Sequence, residues 1–181
     1  MNGLIHGRFA ADTDNRPIKV GANGQLLVGG DTGVVVQDLT VDTAAYVAGD
    51  SLMDLEDFAS ALSSDGGTGI LQEFTLLDSG DQGSAIDLLF FSKTLTVTAK
   101  NAAWAVSDAD MDACIGIVSI AAADWVDLGS NRIVTKSNIS LGLFNNDTAP
   151  GKSIYVAAVC QGTPTFAAAS DLRLKLTILR D

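Results

Sequence analysis

The chain has 181 residues, with 22 acidic against 11 basic side chains and a net charge of −11. A hydrophobic content of 47% with only 18% charged residues excludes a disordered chain, and the length supports one domain of ordinary size plus an appendage. The acidic balance repels phosphate backbones and anionic lipid, so neither nucleic acid nor a membrane surface is an expected partner.

Residues 1–32 read as an extended N-terminal arm, polar and rich in turn formers. Within it "RPIKVGANGQLLVGG" spells a small hairpin, Ile18 to Val20 and Gln25 to Val28 around Asn23-Gly24. The side chains suited to docking on a neighbour are His6, Arg8, Phe9, Arg16 and Ile18. The first residues lack a basic segment followed by an apolar one, so no signal peptide is expected. No apolar run is long enough to span a bilayer.

From residue 33 to 181 the chain reads as a single β-sandwich domain. "GVVVQDLTVD" is a strand, and "DLEDFASAL", residues 54–62, reads as one or two helical turns. Asp65 to Gly69 is a loop. Ile70–Asp78 and Ser84–Ser92 are strands, and Ser79 to Gly83 between them is a hairpin-sized connection. "SDADMDAC" spells a short helix with Ser107 as its N-cap. Strand-like segments follow in "IGIVSI", "DWVDL", "NRIVTKSNISLGLF" and "KSIYVAAVCQG". The last, "DLRLKLTILRD", alternates strictly: Leu172, Leu174, Leu176 and Ile178 point one way and Arg173, Lys175 and Thr177 the other. That period of two marks a strand with one buried face. The expected fold is all-β, an antiparallel, jelly-roll-like sandwich with short helical pieces.

Asp31-Thr32-Gly33 matches the aspartic protease signature, in which two carboxylates share a proton. Gly29-Gly30 precede it where that chemistry needs an apolar strand, and there is no second copy. A turn delivering the chain into "GVVVQ" is the simpler reading. The only histidine is His6, in the arm, where no general base could be held firmly. Asp108, Asp110 and Asp112 resemble the opening of a calcium loop, but Ala113 and Ser119 stand where that loop needs Gly and Glu. Carboxylates at a helix start need no metal, because the helix dipole favours them there. Trp104 and Trp125 could stack on sugars, although aromatics in strands are more often core. Cys114 and Cys160 sit in apolar settings and read as two buried free thiols. No catalytic residue, cofactor or metal site is expected.

Three segments, "GTGILQEFTLLDSGDQGSAIDLLFF", "NAAWAVSDADMDACIGIVSIAAADWVDLG" and "GTPTFAAASDLRLKLTILRD", resemble virion structural proteins of tailed bacteriophages, of the head-associated or capsid decoration type. The resemblance spans residues 34 to 181 and carries no catalytic motif. It implies a β-sandwich made in the host cytoplasm and carried on the capsid surface, working as a decoration (cement) protein at subunit junctions. Implied partners are the major capsid protein, other virion proteins and further copies of the chain. The rival expectations are a head-tail connector or tail-associated protein, a carbohydrate-binding module using Trp104 or Trp125, and a dimeric aspartic protease.

Overall fold

The protein is described here by a computed structural model covering residues 31–149 and 151–180. Among these residues nine strands form two sheets. They are β1 (Asp31–Leu39), β2 (Glu56–Phe58), β3 (Thr68–Asp78), β4 (Ile86–Phe91), β5 (Cys114–Ile120), β6 (Val126–Asp127), β7 (Arg132–Phe144), β8 (Ile154–Cys160) and β9 (Leu172–Arg180). A four-residue helix, α1 (Asp108–Met111), precedes β5, and a 3₁₀ turn at Ala122–Asp124 follows it.

One sheet has the order β1-β9-β3-β7-β6 and the other β2-β8-β4-β5, and every named pair is antiparallel. With the two-residue β6 set aside, this is the strand order of a jelly roll. The fold is therefore the expected all-β antiparallel sandwich. Its core is the apolar layer between the sheets, from Leu39 to Ile178, including Phe58, Phe74, Phe90 and Leu176. The alternation read in the last strand holds: Leu172, Leu174, Leu176 and Ile178 are fully buried.

The sequence reading is corrected at four places. Residues 54–62 are not helical, because Glu56–Phe58 pair with Ile154–Val156 as β2. Ser60 then takes a left-handed φ of 59°, which ends any helical path. Residues 79–83 are not a hairpin, because β3 and β4 lie in different sheets. Asp31, Thr32 and Gly33 are not a turn: they open β1, in register with Arg180, Leu179 and Ile178, so the strand begins two residues before the expected start of the domain at residue 33. Of the two cysteines, Cys160 is buried but Cys114 only half-buried; both are free thiols.

Candidate functional site

The residues singled out for chemistry are dispersed. Asp31 lies at the exposed start of edge strand β1, where its ion partner is Arg180 (Nη1 to Oδ2, 4.0 Å). A guanidinium is the opposite of the carboxylate twin that an aspartic dyad needs. Across the same corner the end of the Arg180 side chain lies over Gly33, in the space that a Cβ there would take, so the glycine leaves room for a side chain and not for catalysis. His6, Arg8, Phe9, Arg16 and Ile18 fall outside the described residues.

At α1, Ser107 Oγ accepts from the Asp110 backbone N–H (3.2 Å) and donates to Asp110 Oδ2 (2.7 Å). Asp108 and Asp110 occupy the first turn, where carboxylates are favoured by exposed N–H groups. Among the described residues no group of three or more His, Cys, Asp or Glu side chains is placed to hold a metal. Trp125 is 8% exposed, and its indole N–H donates to the Ser84 carbonyl (2.8 Å). Trp104 is half-buried against a second apolar cluster. Burial pushes both cysteine thiols up from their ordinary range. Among the described residues no helix is long and apolar enough to cross a membrane.

Sequence reading missed a pair of buried carboxylates at the β3–β4 corner. Asp78 accepts from the backbone N–H groups of Gly80 (2.9 Å), Gln82 (2.9 Å) and Gly83 (2.8 Å). Asp171 accepts from those of Ala167 and Ala168, both at 2.9 Å. Burial raises the Asp78 pKa, and the Asp171 charge adds to the rise. Gly83, at a φ of +56°, packs under the Arg132 side chain, which pairs with Asp81 at 2.8 Å. The local signal is an Asp ending an apolar strand ahead of Ser-Gly-Asp-Gln-Gly, a side-chain-capped turn. The acceptor sites of these carboxylates serve backbone donors, so the corner is structural.

The two outer sheet faces differ. In the β2-β8-β4-β5 sheet, Leu89, Phe91, Ala157 and Val159 point outward yet are buried. Leu95, Val97, Trp104 and Met111, from the long β4–β5 connection, pack over them. The face of the β1-β9-β3-β7-β6 sheet has no such cover among the described residues. Val34 (56%), Val36 (54%) and Ile70 (42%) stand exposed on it, alongside Phe144 and Val126. A register shift where β3 pairs with β7, after Leu71, interrupts this face. There Asn138 and Ser140 take left-handed φ values of 59° and 55°. An open depression of about 430 Å³ lies beside them, lined by Ile70, Gln72, Glu73, Ser137 and Thr177. Ile70 is its only apolar lining residue, so it lacks the predominantly apolar wall of a small-molecule site.

No protein-family model matches this chain, and no curated protein matches it. Among solved structures, a chain from the structure of infectious bursal disease virus, Gx strain, aligns at 10% identity with a TM-score of 0.31. The alignment covers 83% of this chain and 33% of that one, so this chain spans about a third of that chain's length. A superposition this loose carries no functional argument, and the reading below rests on the surface described above.

Proposed function

We propose that this chain is a structural component of a bacteriophage virion, a capsid decoration or cement protein seated at junctions between capsid subunits. The observation that carries the proposal is the uncovered sheet face. Exposed valine and isoleucine side chains gathered on one side of a domain mark an interaction surface. Such a protein acts by burial: each Å² of apolar surface removed from water contributes about 25 cal/mol, and area added across a junction opposes the pressure that separates subunits. The net charge of −11 favours the outer capsid surface over one lining packaged nucleic acid. In this reading the chain performs no catalysis, and His6, Arg8, Phe9, Arg16 and Ile18 are contacts of its N-terminal arm with the particle.

The test is co-sedimentation of the full chain with particles that lack it. Binding in a fixed ratio to capsid subunits is expected. Replacing the five arm residues together by serine should weaken that binding at least tenfold. A few copies confined to one vertex would make the protein a connector component. Failure to bind any particle would overturn the assembly reading.

A further inference from the structure

We propose that the open face of the β1-β9-β3-β7-β6 sheet is the interface of a homodimer, in which a second copy of this chain stacks sheet on sheet about a two-fold axis. This rests on the assembly reading above: a second copy occupies the face, and the particle contacts of the resulting dimer fall to the N-terminal arm residues named there. Charge is the first argument. The face carries Asp38, Glu73, Arg173 and Lys175, two charges of each sign, on a chain of net charge −11. Two acidic molecules can meet there without like-charge repulsion, while a basic partner would find no excess of carboxylates. Asp38 and Arg173 already pair within one copy. That leaves Glu73 and Lys175 to face their opposites across a two-fold axis, as a self-complementary contact requires.

Area is the second argument. Four long strands about 4.8 Å apart, each about nine residues at about 3.3 Å per residue, span roughly 570 Å². Two such faces bury roughly 1,100 Å² before any rim contact, which clears the threshold of about 1,000 Å² for a specific interface. Exposed valines on adjacent pleats also suit the face-to-face packing of sheets about 10 Å apart.

The experiment is sedimentation equilibrium of the full chain with no other protein present. A mass twice the 18.7 kDa of the chain is expected. Val36→Asp combined with Ile70→Asp should halve it while the chain stays folded by circular dichroism, whereas Val47→Asp, exposed in a loop bonded to the other sheet, should leave the dimer intact. Thr75→Cys, on the central strand β3, should cross-link to its own copy through a flexible bis-maleimide spacer, because sheets about 10 Å apart lie beyond direct disulfide reach, and Val47→Cys should not. If the double variant unfolds, the cross-link alone decides. A monomer at every concentration, a dimer indifferent to the face substitutions, or a Thr75→Cys variant that fails to cross-link overturns the proposal. A monomer would leave the face to residues 1–30 or to another virion protein. A monomeric chain that still binds particles overturns the dimer alone, whereas a dimer that binds none overturns only the virion reading.

Discussion

At the scale of single residues, the buried polar groups of Tyr46 and Asp78 are satisfied locally, and this makes their loss measurable. Tyr46 packs edge-on against Phe166 with ring centroids 6.0 Å apart. Its hydroxyl donates to the Leu52 carbonyl (2.8 Å) and accepts from the Asp42 N–H (2.6 Å). Burial, as the main cause, pushes its pKa up to about 12 from the ordinary 10.0. A raised folded-state pKa contributes stability that is fully present below the unfolded value and lost as pH rises through the folded one. Tyr46 therefore destabilises the fold between about pH 10 and pH 12. Denaturant midpoints across this range should fall for the native chain and fall less for Tyr46→Phe. At neutral pH that variant should be less stable by about 1 kcal/mol, from the lost hydrogen bonds. Asp78→Ala should cost more, about 3 kcal/mol, because the buried Gly83 N–H and the part-buried Gly80 and Gln82 N–H groups lose their acceptor at once. Equilibrium urea unfolding reads both changes.

At the scale of elements, the burial pattern of each strand reports how many of its faces are covered. In β9 the inner leucines are fully buried and Lys175 is only half-buried. Leu176→Ala should thus cost about 2–5 kcal/mol through the cavity it leaves, and Lys175→Ala, measured at concentrations where the chain is monomeric, no more than about 0.5 kcal/mol. The two midpoints measured side by side check the assigned face. Strands β4 and β8 are apolar almost throughout, "IDLLFF" and "IYVAAVC", because the β4–β5 connection covers their second face. Helix α1 needs only its Ser107 cap, so melting with and without a chelator should give the same midpoint. A drop of several degrees on chelation would instead reveal a bound ion. The misread element, β2, is instructive. Leu55, Phe58 and Leu62 fall at helical spacing, but a three-residue strand is decided by its partner, Ile154–Val156, and not by its own periodicity.

At the scale of the molecule, the core formed by the described residues runs from Leu39 to Ile178. Removal of residues 1–30 is therefore expected to leave the thermal midpoint within a few degrees of the full chain's. The same truncation should abolish attachment to particles if the arm carries the docking contacts. A melting curve paired with co-sedimentation separates the two roles. Loss of folding on truncation would show that the leader belongs to the core.

The sequence by itself determined the fold class, most of the strands, the Ser107 cap and the inward face of the last strand. Each of these is set by short-range pattern: a period of two, a turn former, a hydroxyl ahead of a helix. Only the tertiary structure decided which sheet each strand joins, and therefore that residues 79–83 cross between layers with Asp78 and Asp171 holding the corner. It also separated two apolar runs that read alike. "LLFF" in β4 is covered on both faces, whereas "VVV" in β1 leaves Val34 and Val36 in the open. The physical reason is that an apolar run records how much surface it would be favourable to bury. Whether the chain itself does the burying depends on the path of the long connection that leaves β4, which folds back over the sheet through Leu95, Val97, Trp104 and Met111, and no local pattern in the strand can specify that.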